Sequence, residues 1–156
     1  METFRFAVID STSARARELL AAGSHPPFAV VAERQTAGRG RRGNTWESPP
    51  GNLYVTFVLP PPAASVTDAA LIPLKAAVCC ARVVQEMLGI RVTLKWPNDL
   101  LFAGKKIGGL LCEASLSGGT TGEVLVGLGL NSRHVPKIDD DAQDAPIPGA
   151  LSDWCT

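Results

Sequence analysis

The chain has no net charge with which to hold a polyanion: its 15 basic and 15 acidic side chains cancel to a formal value of zero. A general affinity for nucleic acid or for an anionic membrane surface is therefore not expected. Aromatic residues are few as well, 6% of the sequence, which leaves little material for a base-stacking platform. No apolar run approaches the roughly 20 residues that a membrane-spanning helix needs. The amino terminus, Met1-Glu-Thr-Phe-Arg-Phe-Ala-Val-Ile-Asp10, carries charges inside its apolar stretch and does not read as a signal peptide. Of the four cysteines, Cys79 and Cys80 are adjacent and Cys112 and Cys155 stand apart, so no Cys-x-x-Cys pair exists to hold a structural zinc. Thiols acting as small hydrophobes in a reducing, cytoplasmic setting are the simpler expectation.

What the chain does have is apolar substance. Hydrophobic residues make up 46% of 156 positions, enough for one ordinary domain with a real core. The charges that cancel globally are unevenly placed, with arginines crowded near residue 40 and aspartates near residue 140. Gly38 to Gly43 reads Gly-Arg-Gly-Arg-Arg-Gly, three guanidiniums among three glycines. Glycine allows close backbone approach to a ligand, and arginine presents permanently charged forks that match carboxylate and phosphate oxygens. Such a run also occurs in RNA-binding tails and as solvated loop charge. Here it lies between two apolar stretches that read as strands, Phe28 to Ala32 and Leu53 to Leu59, which favours a lid over a ligand.

Further elements follow from pattern. Phe4 to Ile9 alternates as a strand, and Asp10-Ser11-Thr12 offers cap chemistry to a helix reaching about Ala22, with Leu19 and Leu20 toward the core. Pro60-Pro-Pro62 breaks the chain, Ser65-x-x-Asp68 is a weak helix start, and the helix runs to about Leu88. Pro73 is compatible with a first turn or a kink. Val92 to Trp96, Lys106 to Ala114 and Glu123 to Leu130 read as strands joined by turns at Ala103-Gly-Lys105 and Ser117-Gly-Gly-Thr120, hence as antiparallel hairpins. Residues 133–156, rich in aspartate and proline, offer little to bury and read as a loose tail behind a core of residues 1–132.

Five segments combine: Asp10-Ser-Thr-Ser13, Gln35-Thr-Ala-Gly-Arg-Gly-Arg-Arg-Gly43, Lys95-Trp-Pro-Asn-Asp99, Lys106-Ile-Gly-Gly-Leu-Leu-Cys-Glu113 and Gly127-Leu-Gly-Leu-Asn131. In order and spacing they resemble the catalytic domain of biotin protein ligases, within the biotin/lipoate ligase superfamily. The resemblance implies an α+β fold, a mixed and largely antiparallel sheet with packed helices, like the core of class II aminoacyl-tRNA synthetases. It implies ATP-dependent activation of biotin to biotinyl-5′-adenylate, followed by transfer to a lysine of a biotin carboxyl carrier protein. No acyl-enzyme is expected, so the lack of a Ser-His-Asp or Cys-His signature is no objection.

By the same resemblance, Ser11, Thr12, Ser13, Gln35, Gly38, Arg39, Gly40, Arg41, Lys106 and Gly109 bind biotin. Arg41, Arg42, Trp46, Asn98 and Asn131 bind the nucleotide. Lys106, Asp99 and Arg41 carry the chemistry, with Asp99 also assigned to Mg2+. Read without the family, Ser11 to Ser13 are helix caps, Lys106 a turn lysine, Asn98 and Asp99 an Asx turn, and Trp46 a core aromatic. No helix-turn-helix precedes the first strand, so DNA binding is not expected; homodimer formation stays open. The chain stops short of the family's usual length, which keeps alive a shortened, non-catalytic biotin-binding remnant, and the shared fold keeps alive a lipoate-type ligase.

Overall fold

The computed structural model describes residues 1–61, 71–117, 120–136 and 146–154. The chain begins with β1 (Glu2–Ile9), α1 (Thr12–Ala21) and β2 (Phe28–Gln35). Because β1 and β2 are parallel, the chain must cross over between them, and α1 is that crossover. Ser11 starts the helix with extended backbone, its hydroxyl accepting from Ala14 N, so the cap expected at Asp10-Ser11-Thr12 is there. β3 (Leu53–Leu59) runs antiparallel to β2 and matches its expected bounds. After it comes α2 (Ile72–Leu88), in which Pro73 occupies the first turn and needs no kink. The Ser65-x-x-Asp68 signal lies outside the described residues.

β4 (Thr93–Lys95), β5 (Asp99–Phe102), β6 (Lys105–Ser117) and β7 (Thr120–Leu130) complete a seven-stranded sheet of order β1-β2-β3-β7-β6-β5-β4, antiparallel everywhere except β1–β2. The mixed, largely antiparallel α+β fold is as expected. β5 was not. Asp99 to Phe102 follows a proline turn and is only four residues long, and it pairs with both β4 and β6. The Ala103-Gly104 turn closes the β5–β6 hairpin with both residues left-handed, φ 48° and 78°.

Strand side chains alternate faces, and α1 and α2 divide them. Val124, Val126 and Leu130 of β7 face α2, where Ala77 and Val84 pack with Leu100, Ile107 and Leu110. Leu125 faces the other way, toward α1, in a cluster with Ala16, Phe28, Val30 and Val58; Leu19 and Leu20 pack against that cluster. The α1 side is covered over β1 to β3 but carries glycine along β7 and β6, at Gly127, Gly129 and Gly109. That glycine strip receives the indole of Trp46.

The loose tail expected after residue 132 does not hold for residues 146–154. Lys106 N donates to Ile147 O and Gly149 N to Lys106 O, while Leu151 N donates to Asn131 O. Ala150 and Leu151 are buried, and Trp154 meets Phe102 edge to face. The composition hid this because a few small and apolar residues, Ile147, Gly149-Ala-Leu151 and Trp154, supply much of the contact. The cluster Asp139-Asp-Asp141 with Asp144 lies outside the described residues, as do Cys155 and the Gly118-Gly119 turn.

Candidate functional site

The Arg-Gly run folds as a small hairpin. Arg39 bridges Thr45 antiparallel, Gly40 N donates to Asn44 O at 2.7 Å, and a single turn of 3-10 helix at Arg41–Gly43 makes the tip. Gly38 anchors it by close approach: a Cβ there would stand 2.4 Å from Trp46 O and 2.6 Å from Ser48 Oγ, so no other residue fits. Between this hairpin and β6 lies a cavity of about 530 Å3, lined by Thr36 to Gly40, Arg42 to Thr45, Leu111 and Glu113. Glu113 is ion-paired with Arg17 of α1, which leaves Arg39 and Arg42 as the cationic part of the lining. Arg41 does not line it. Its guanidinium reaches instead to Asn98 Oδ1 at 3.3 Å, tying the hairpin tip to the β4–β5 turn.

Lys106, at the start of β6, meets Asp99 Oδ1 at 2.7 Å, with both side chains mostly buried. The indole of Trp46 lies on the glycine strip: a Cβ on Gly129 would stand 2.5 Å from its Cε2 and Nε1, and one on Gly109 3.4 Å from its Cζ3. Lys106 Nζ sits 5.5 Å from the centre of that ring, within cation-π reach. Trp46 Nε1 is buried with no hydrogen-bond partner. Lys106, Asp99, Trp46 and Gly109 are thus one cluster, linked through Asn98 and Arg41 to the lid.

The polar residues at the helix start form a second cluster. Ser11 Oγ and Ser13 Oγ are 3.0 Å apart, and Thr12 donates through both N and Oγ1 to Gln35 Oε1. Thr36 N and Ala37 N bond to Ile9 O and Asp10 O, which holds this cluster beside the lid cavity. Two residues that the sequence reading passed over belong here. Ser48 accepts from Gln35 Nε2, and Thr56 donates to Thr12 Oγ1. A serine before a proline reads as a turn; the one aliphatic hydroxyl in the apolar run Leu53 to Leu59 was the better clue, since Thr56 is fully buried.

Asn131 is nearly as buried, and its amide nitrogen donates to Gly149 O at 3.0 Å, while Oδ1 has no partner. It therefore anchors the 146–154 segment and keeps one acceptor in reserve. Asn98 and Asp99 also border a smaller hollow of about 110 Å3 toward α2. Among the described residues no three His, Cys, Asp or Glu side chains converge as a metal site. No helix of the described residues is long and apolar enough to cross a membrane.

A family model described as the biotin/lipoate A/B protein ligase family matches residues 5–131. The chain is 34% identical over 139 residues to the bifunctional ligase/repressor BirA of Bacillus subtilis, covering 88% of this chain and 42% of the relative. It is 39% identical over 133 residues to the biotin–[acetyl-CoA-carboxylase] ligase of Paracoccus denitrificans, covering 81% of this chain and 53% of the relative. The solved biotin protein ligase of Leishmania major in complex with biotinyl-5-AMP superposes with a TM-score of 0.81 at 32% identity, covering 97% of this chain and 64% of that one. That of Aquifex aeolicus with biotin and ATP gives 0.75 at 32% identity, covering 97% and 60%. The chain spans about half the length of these curated relatives.

Proposed function

The chain belongs to the biotin/lipoate A/B protein ligase family, and on that premise we propose that it activates biotin with ATP and passes the acyl group to a protein lysine. The observation that carries the proposal is the Lys106–Asp99 pair, set at the edge of the Gly109–Gly129 strip beside an arginine lid. In the first half-step a biotin carboxylate oxygen attacks the α-phosphorus of ATP, forming the acyl phosphate bond of biotinyl-5′-adenylate and expelling pyrophosphate. Two anions must meet, and the barrier to their approach is electrostatic. Lys106, Arg39 and Arg42 supply the cationic screening. Lys106 is held in place by Asp99 beforehand, so little ordering remains to be done when the ligand arrives.

In the second half-step a neutral lysine amine of the acceptor attacks the acyl carbon, and AMP leaves with the bonding pair. The ammonium proton must go to a base, and Asp99 is the carboxylate beside the reacting position. ATP enters as its Mg2+ complex; magnesium is commonly held by one or two carboxylates together with substrate phosphates, and Asp99 is the carboxylate that would serve here. Asn131 Oδ1, buried and unpartnered, suits the exocyclic amine of adenine. Ser11, Ser13, Thr12 and Gln35 present hydroxyls and an amide to the ureido ring.

We assign the acceptor to the biotin carboxyl carrier class, supported by the name of the Paracoccus denitrificans relative. A cytoplasmic setting goes with the free thiols of Cys79, Cys80 and Cys112. Relatives named ligase/repressors extend well beyond the matched region, so the expectation of no DNA contact concerns these 156 residues alone. The test is labelling of a purified carrier domain with biotin, Mg2+ and ATP, with lipoate in a parallel reaction. Mass addition from biotin alone supports the proposal. Addition from lipoate alone, or from neither, contradicts it.

A further inference from the structure

A buried hydroxyl must be satisfied, and Ser48, 5% exposed, is satisfied from both sides. The direction of every proton around it follows from what each group is able to do. Thr12 N–H only donates, so the Gln35 atom 2.8 Å away is Oε1, which also accepts from Thr12 Oγ1 at 3.1 Å. Thr12 Oγ1 in turn accepts from Thr56 Oγ1 at 2.8 Å. Gln35 Nε2 therefore turns to Ser48 Oγ at 2.9 Å, and Ser48 passes its own proton to Trp46 O at 2.9 Å. Both lone pairs of Oε1 are engaged. What Gln35 has left is a single N–H, and its amide nitrogen lies directly behind the cavity-lining Gly38, where a Cβ would be 3.0 Å from Nε2.

We propose that Ser48 is a positioning residue for ligand recognition: by taking one N–H of Gln35 it aims the other at the ligand, so that Gln35 reads the carbonyl oxygen of the ligand's ring. This rests on the reading of that ligand as biotin. A ring guanidine, with a protonated nitrogen where the carbonyl oxygen should be, meets a donor with a donor and is refused. Ser48 makes this discrimination only through Gln35, which separates its role from a general contribution to packing.

Calorimetric titration with biotin and with 2-iminobiotin tests this, on the wild type, Ser48→Ala, Ser48→Thr, Gln35→Ala and the Gln35→Ala/Ser48→Ala double variant, each checked for an intact melting transition. Wild type favours biotin by about tenfold or more. Ser48→Ala weakens biotin binding about tenfold and loses most of that preference, and Ser48→Thr, which keeps the hydroxyl, recovers wild-type affinity to within about threefold. In the Gln35→Ala background Ser48→Ala adds less than about twofold. Wild-type binding with Ser48→Ala unaltered, or effects that multiply independently in the double variant, overturns the proposal. A wild type that binds no biotin overturns the biotin reading itself, and the role of Ser48 with it.

Discussion

Lys106 Nζ and Asp99 Oδ1 stand 2.7 Å apart on adjacent strands, although the two residues do not face each other in register. Asp99 pairs with Gly109 and Lys106 with Leu101, across a register shift between Leu100 and Leu101. The lysine side chain runs diagonally over Gly109, where a Cβ would be 3.6 Å from its Cε. The short strand that the sequence reading missed is thus the element that delivers the carboxylate.

Removing either partner has a different expected result. Lys106→Ala deletes a charge-assisted contact, worth roughly 1.5–3 kcal/mol, so adenylate formation falls by about one to two decades. Asp99→Asn keeps the shape and leaves the ammonium, so adenylation falls less than transfer does, because the acceptor lysine loses its base. Single-turnover assays that follow adenylate and labelled carrier separately distinguish the two. Equal losses in both half-steps for Asp99→Asn would remove the base from its proposed role.

Gly129 tests the placement of Trp46. A methyl group there would stand about 2.5 Å from the indole, so Gly129→Ala expels the ring from the strip. Overpacking of this kind costs about 1–3 kcal/mol by urea denaturation, and tryptophan emission shifts to the red as the buried indole meets water. Unchanged stability and emission would place Trp46 elsewhere.

Arg41 holds the hairpin tip to Asn98, an exposed hydrogen bond of 3.3 Å. Arg41→Gly frees the tip and removes one charge without touching the cavity lining. Adenylate still forms, and its dissociation, followed by retention on a desalting column, speeds up by about five- to tenfold, which is about 1 kcal/mol. Retention equal to wild type would show that the tip does not hold the intermediate.

Much of the fold was legible because its signals are local. Leu53 to Leu59 is an apolar run with the bounds its sequence implies, Gly104 marks a tight hairpin, and Ser11 caps α1 in the way its sequence position implies. The candidate site was legible only as a set of segments. That Lys106 pairs with Asp99, that Arg41 leaves the cavity for Asn98, and that Trp46 lies on Gly129 are facts of strand order, which brings β3, β7, β6 and β5 side by side. Ser48 and Thr56 could not be paired from the sequence because their partners are 13 and 44 residues distant. The 146–154 segment was silent because its hold on the core is mostly backbone, through Ile147, Gly149 and Leu151.

The thiols give a prediction that is independent of ligand. Burial, with smaller contributions from Cys80 and Glu113, pushes the Cys112 thiol up to about 11 from an ordinary value of 9.0, and burial raises Cys80 as well. Because the folded state binds the proton more tightly, the stabilisation is complete below about pH 9 and is lost as pH rises through about 11. Denaturation midpoints are therefore flat from neutrality to about pH 9 and fall beyond it. At neutral pH a thiol alkylating reagent modifies exposed Cys79 at least about tenfold faster than Cys112, read by peptide mass mapping. Comparable rates would contradict the burial of Cys112.

The most direct measurement is mass spectrometry of the small molecules formed when the protein, at stoichiometric concentration, meets biotin, Mg2+ and ATP without any acceptor. The expected result is biotinyl-5′-adenylate and pyrophosphate from the wild type, with the adenylate retained by the protein, and at least about tenfold less from Lys106→Ala in the same time. No adenylate from the folded wild type, or an undiminished yield from Lys106→Ala, would contradict it.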